Sequence, residues 1–203
     1  MGIKPEQLSR MMERLQRPRK TPEPAVAPAA GGPRSREGLV VLGIDPSLRG
    51  TGYGVVRQGK NGPSVLAQGT IACGASWPVT RCLGHIAQTL RQVLAEFHPT
   101  ICVVEGLFYA QNLRTAIVMG QARGASLAVV AEAGLEVYEM APRKVKQAIV
   151  GYGAAQKEAV AKMVQRMLRL TELPAPDAAD ALALAIAYLQ ETGRYLIAGP
   201  KKI

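Results

Sequence analysis

Two short apolar runs of this chain end in acids. Leu39-Val40-Val41-Leu42-Gly43-Ile44 leads into Asp45, and Ile101-Cys102-Val103-Val104 leads into Glu105. A third acidic element, Asp177-Ala178-Ala179-Asp180, opens a strongly apolar stretch near the C-terminus. An ionised carboxylate at the edge of a core is costly unless a partner or a cation compensates it. Several such acids without His or Cys form the oxygen-only donor set that a hard cation such as Mg²⁺ prefers. Two such cations about 3.5–4 Å apart can activate a water, neutralise phosphoryl oxygens and stabilise a leaving alkoxide, the requirements of phosphodiester hydrolysis. In a helix Asp177 and Asp180 are i, i+3 neighbours, so both can face one site.

Taken singly, each acid has a simpler reading. Asp177 after Pro176 makes a good helix start as an N-cap, with both carboxylates favoured by the helix dipole. Asp45-Pro46-Ser47 fits an Asx-type turn, and Glu105-Gly106 fits a solvated strand end. Their joint placement in a chain with 15 acidic residues against 25 basic ones favours a shared site. Gly50, Gly52 and Gly54 raise a rival, the phosphate-holding turn with which sugar-kinase and actin-like ATPases begin. Such ATPases clamp nucleotide with a second, similar domain, for which the residues beyond position 38 leave no room.

Positioning the acids requires a sheet. The apolar runs 39–45 and 101–105 read as strands, as do 51–57, 64–72 and 135–140, with Gly59-Lys60-Asn61-Gly62 as a hairpin turn. Leu83, Ile86, Ala87, Leu90, Val93, Leu94 and Phe97 recur at helical spacing within 80–97, and His98-Pro99 ends that helix. A helix over 112–133 is rich in small residues (Ala116, Gly120, Ala122, Gly124, Ala125, Ser126, Ala128), which suit close approach to the sheet or to a second subunit. Helices over 141–149, 155–169 and 177–191 complete the domain, with Gly151-Tyr152-Gly153 as a break. The order predicts an α/β fold: a three-stranded antiparallel meander, then parallel strands, in a mixed five-stranded sheet with helices on both faces. Ligands gather at the carboxyl ends of parallel strands, where Asp45 and Glu105 lie if their strands are adjacent.

Residues 1–38 hold six of the 14 prolines and more basic than acidic residues, and read as a basic, Pro-rich disordered tail. The nuclease-like domain spans 39–192, and 193–203 reads as a short basic C-terminal tail. A formal net charge of +10 points to a polyanionic partner, nucleic acid before membrane, since no run approaches the roughly 18 apolar residues of a membrane helix. Cys73, Cys82 and Cys102 lack zinc-ligand spacing and fit a reducing, cytoplasmic setting as small core residues.

With these residues in view, the chain resembles the RuvC family of bacterial Holliday-junction resolvases, in the ribonuclease H-like nuclease and integrase group. Six ordered blocks carry the likeness: Leu42-Gly43-Ile44-Asp45-Pro46, Thr51-Gly52-Tyr53-Gly54-Val55, Glu105-x-x-Phe108, Gly120-Gln121-Ala122-Arg123-Gly124, Arg143-x-Val145-Lys146-Gln147 and Asp177-Ala178-Ala179-Asp180-Ala181-Leu182-Ala183. The resemblance implies a ribonuclease H-like fold and a homodimer that binds a four-way DNA junction and nicks two opposed strands in recombination and repair. It implies two Mg²⁺ per subunit, with Mn²⁺ able to substitute, and a branch-migration helicase complex as partner.

Asp45, Glu105, Asp177 and Asp180 match the family's four catalytic, metal-holding acids. The expectation is that Asp45 bridges two metals, Glu105 and Asp180 hold the nucleophile side, and Asp177 completes the set. Phe108 matches a position that stacks on bases near the crossover, with Tyr109 beside it. Lys146 and Lys157 match basic positions near DNA and the active site, and Arg143 lies in the same basic block. Lys162, Arg166 and Arg169 form a charged helix face that is as well explained by solvation. The family commonly has Gly at Ser47 and Gln at Gly106, so the turns beside Asp45 and Glu105 can differ in shape. Two other readings stay open: a related nuclease acting on RNA ends, and a catalytically inactive junction-binding protein.

Overall fold

The computed structural model describes residues 37–106, 112–191 and 200–203. The first 36 residues, which include nearly all of the expected basic tail, lie outside them, as do Phe108 and Tyr109. Six strands form one mixed sheet in the order β3-β2-β1-β4-β5-β6: β1 (Val40–Asp45), β2 (Gly50–Gly59), β3 (Gly62–Ala72), β4 (Ile101–Glu105), β5 (Glu136–Met140) and β6 (Lys201–Lys202). Pairing is antiparallel through β1, β2 and β3, parallel from β1 to β4 to β5, and antiparallel again at β6. The meander and the parallel strands are as the pattern predicts.

The sixth strand is a correction to the five-stranded expectation, and it lies within the segment read as a tail. Two residues carry no periodicity to detect. They are held by main-chain pairing to Tyr138 and Glu139 and by a 2.5 Å ion pair from Lys202 to Glu136.

Alternation along the strands sorts the core into two layers. Val40, Leu42 and Ile44 of β1, with Cys102 and Val104 of β4, pack against helices α1 (Val79–Phe97) and α2 (Leu113–Glu132). Val41 of β1, with Ile101 and Val103 of β4, faces α3 (Pro142–Val150), α4 (Lys157–Leu168) and α5 (Pro176–Glu191). The same parity continues one step beyond Val103 and puts Glu105 on the α5 side. From Val41 through Gly43 it puts Asp45 there too.

The layer contact that matters most is between α5 and the sheet. A Cβ on Gly43 would lie 1.9 Å from the Ala181 carbonyl oxygen, one on Gly52 would lie 2.0 Å from that of Asp177, and one on Gly54 would meet Leu182 at 2.7 Å. These three glycines let the helix backbone rest directly on β1 and β2. They hold a helix rather than a phosphate, which removes the ATPase-like reading of Gly52 and Gly54. The small residues of helix α2 divide between two faces: Ala122 and Ser126 are buried, while Gly120 and Gly124 meet nothing within 4 Å and leave the opposite face open.

Candidate active site

Asp45 is the last residue of β1 and Glu105 the last of β4, and the parallel register Ile44↔Val104 brings the two strand ends side by side. Their side chains are hydrogen bonded to each other. Two half-buried carboxyls cannot approach so closely with both ionised, so the pair retains a proton. Desolvation, then the charge and hydrogen bond of Asp45, push the Glu105 carboxyl up to about 8. Asp45 is raised by burial and by the charges of Asp180 and Asp177, while the hydrogen bond from Glu105 opposes the rise. Both carboxyls are thus held above the usual carboxylate range, and burial favours a proton shared between them over a second charge.

The helix-borne pair comes to the same place. Helix α5 begins at Pro176, so Asp177 is a first-turn residue rather than the N-cap, and the helix rests on Gly52 at the Asp177 backbone. Asp177 Oδ2 lies over Gly50, where a Cβ would approach it to 2.8 Å. Asp180, one turn on, accepts a 2.6 Å hydrogen bond from Lys157 Nζ at the start of α4. That bond, with added attraction from Asp45 and Glu105, raises Lys157 above the ordinary lysine value and keeps it charged.

Four carboxyls and one ammonium thus share a single electrostatic neighbourhood. Among the described residues no three acids already stand in metal-ligand geometry. The side chains are instead satisfied in pairs, Asp45 with Glu105 through a proton and Asp180 with Lys157 through an ion pair. The donor set fits a hard divalent cation all the same. It offers oxygens only, and Glu105, raised first by burial and then by the charges of Asp45 and Asp180, is a group whose charge a cation would compensate in place of the proton.

The turn after Asp45 is closed by Thr51, which is fully buried; its hydroxyl donates to the Ser47 carbonyl at 2.5 Å and accepts from the Ser47 N–H at 3.2 Å. Beyond Glu105, the Gly106 N–H donates to the Met140 carbonyl at 2.9 Å. Ser47 therefore sits in a hydrogen-bonded turn, and Gly106 extends the pairing of β4 with β5.

Of the basic residues singled out in the sequence, Lys157 is brought to the acids. Lys146 is half-buried on α3, and Arg143 lies over Gly153, where a Cβ would meet its Cγ at 2.4 Å. Lys162 is engaged by Glu158 at 2.6 Å one turn away. Two residues escaped the sequence reading. Tyr152, noted only as part of a chain break, is 55% exposed five residues before Lys157. Arg123 is buried on α2 and donates to the Glu105 carbonyl and, at 2.5 Å, to Glu139. The signal for Arg123 was a cation set between Ala122 and Gly124 in a run of small residues.

The profile of the crossover junction endodeoxyribonuclease RuvC family matches residues 41–188. The chain is 46% identical over 149 residues to the protein of that name from Chlorobium chlorochromatii, covering 73% of this chain and 78% of the relative. It is 45% identical over 152 residues to the one from Syntrophomonas wolfei, covering 74% and 88%. Among solved structures, T. thermophilus RuvC in complex with a Holliday junction substrate superposes with a TM-score of 0.73 at 36% identity, over 81% of this chain and 99% of that one. The yeast mitochondrial resolvase Ydc2, at 12% identity and a TM-score of 0.54, shares the fold. With its acids gathered where the β1 and β4 ends meet α5, and with matches of this extent, the chain belongs to the RuvC family of crossover junction endodeoxyribonucleases.

Proposed function

We propose that this protein resolves four-way DNA junctions by nicking two opposed strands, with Asp45, Glu105, Asp177 and Asp180 as the catalytic acids. The observation that carries the reading is the convergence of Asp45 and Glu105, at adjoining strand ends, with Asp177 and Asp180 of α5. A site that presents excess carboxylate to a polyanion is unfavourable for binding DNA unless a cation joins it. A pair of Mg²⁺ ions held there, or Mn²⁺ in their place, would supply a nucleophilic water and neutralise charge on the scissile phosphate.

The chain's own residues have distinct tasks in this reading. Asp45, which interacts with the other three acids, is assigned the bridging role. Glu105 and Asp180 are assigned to the side of the attacking water, and Asp177 completes the set. Lys157 is within reach of Asp180 and carries its charge toward the phosphate. Arg143 and Lys146 of α3 are assigned to DNA contacts, with the exposed Tyr152 in the loop that follows. Phe108 and Tyr109 are assigned to base stacking at the junction centre, where unpaired bases offer roughly 1–3 kcal/mol each.

Symmetric nicking needs two sites in fixed relation, and a two-fold homodimer supplies them. Helix α2 presents a face for it: Leu113 is 77% and Ile117 52% exposed, with Gly120 and Gly124 open on the following turns. Close backbone approach across such a face would bury both side chains.

The test is incubation of the purified protein with a mobile four-way junction, with Mg²⁺ or with chelator, followed by mapping of both cut strands. Linear duplex and structured RNA serve as comparison substrates. Paired Mg²⁺-dependent nicks specific to the junction are expected, and Asp45→Asn should bind the junction without cutting it. Cleavage persisting in Asp45→Asn would remove the proposed site, and preference for RNA would turn the reading toward an RNA-end nuclease.

A further inference from the structure

Buried arginine is expensive unless its donors are matched, so a lone one on a helix of small residues asks for a purpose. Arg123 is 9% exposed, and its two terminal nitrogens go to different strands. One bonds the main-chain carbonyl of Glu105 on β4, and the other bonds Glu139 Oε2 on β5 at 2.5 Å. The β1–β4 ladder ends at Ile44↔Val104, one residue before Glu105. Arg123 provides a hydrogen bond where that ladder stops. On the other side β4 remains paired through Glu105↔Met140, and the Gly106 N–H donates to the Met140 carbonyl. The main chain carrying Glu105 is thus pinned by β5 and by a cation from α2. Because the guanidinium holds the carbonyl, the Glu105 carboxyl stays turned toward Asp45.

We infer that Arg123 is a positioning residue: by fixing the Glu105 main chain from helix α2, it sets how tightly the acidic cluster takes up a divalent cation. The inference rests on the proposed role of Glu105 as a metal-holding acid. Residues that orient metal-holding groups in this way typically matter by 10–100-fold in metal affinity. The same helix carries the open face of Leu113, Ile117, Gly120 and Gly124, so a displacement of α2 would be felt at Glu105 through one side chain. Arginine suits the task because a rigid planar fork serves a carbonyl and a carboxylate from two separate nitrogens, whereas a lysine must reach both from one.

The experiment is a calorimetric titration of Mn²⁺ alone, without DNA, into the full-length protein and four variants, each first checked for native melting. Arg123→Gln is expected to weaken Mn²⁺ uptake about tenfold or more, and Arg123→Lys to recover part of that loss. Glu132→Gln, which breaks the exposed Arg91 ion pair on the same helix, should leave it unchanged. Glu105→Gln separates the two levels of the argument. If Glu105→Gln binds Mn²⁺ like the parent, the acidic cluster is not the metal site and the underlying reading falls. If Glu105→Gln weakens uptake while Arg123→Gln does not, the positioning role alone is overturned. Should Arg123→Gln fail to fold, Arg123→Lys decides the matter: a several-fold loss supports the role and parental affinity refutes it.

Discussion

Asp177 lies directly over Gly52: a Cβ there would be 2.0 Å from the Asp177 carbonyl oxygen and 2.5 Å from its carbonyl carbon. Neither atom belongs to a flexible side chain, so the first turn of α5 must move if the glycine is replaced. Gly52→Ala is therefore expected to lower stability by about 1–3 kcal/mol and to reduce junction cleavage more than junction binding. Gly84 on α1 is an internal control, since it is exposed and meets nothing within 4 Å. Gly84→Ala should stabilise by about 0.5–1 kcal/mol through helix propensity. Urea denaturation of the two variants checks both signs.

That contrast explains which parts of the fold the sequence displays. Apolar runs such as 101–105 bury side chains on both faces, and their hydrophobicity alone marks them as strands. The acids were visible because Asp45 and Glu105 interrupt such runs at their ends. Close approach of a helix to a sheet leaves no apolar mark on its sheet side, however, because the residues responsible, Gly43, Gly52 and Gly54, have no side chain. The pattern instead drew attention to the small residues of α2, of which Gly120 and Gly124 face open space. Arg123 and Lys157 illustrate a second limit. Their partners lie 18 and 23 residues away, and nothing local ties a cation to a carbonyl or carboxylate at that separation. The two-residue β6 is too short for any period.

The raised Glu105 carboxyl makes metal-free stability depend on pH with a definite sign. The carboxyl titrates near 4.5 when unfolded and near 8 when folded, so between those values the native state binds more protons. Its contribution is fully present below about pH 4.5 and is lost as pH rises toward 8. In chelator the melting temperature should fall across that window, with Asp45 contributing in the same direction. Added Mg²⁺ should raise the melting temperature most at the alkaline end, where no proton competes with it. Differential scanning fluorimetry over pH 5–9, with and without Mg²⁺, reads both slopes; Glu105→Gln should flatten the chelator curve.

The exposed apolar face of α2 makes a prediction about assembly. Ile117 is 52% exposed, so Ile117→Glu costs the isolated chain little, within about 0.5 kcal/mol for a surface change. If two copies meet on this face, each dimer would have to bury two such carboxylates. Light scattering should then show a monomer that remains folded, and the coordinated second nick should be lost before the first. An Ile117→Glu protein that remains dimeric would place the interface elsewhere.

Lys157 tests whether the charge within the cluster serves catalysis or only the fold. Its side chain is 70% exposed, and an ion pair so placed, even at 2.6 Å from Asp180, adds little to stability, about 0–1 kcal/mol. Lys157→Gln should accordingly melt close to the parent. Its charge, however, also acts on Asp45 and Glu105, and a cation aimed at a site where negative charge develops is typically worth about 10²–10³ in rate. The expected result is near-parental junction binding in chelator with single-turnover cleavage reduced by about that factor. Lys157→Arg should recover only part of it, because a planar guanidinium cannot reproduce a compact ammonium. Parental cleavage by Lys157→Gln would confine this residue to holding Asp180 in place.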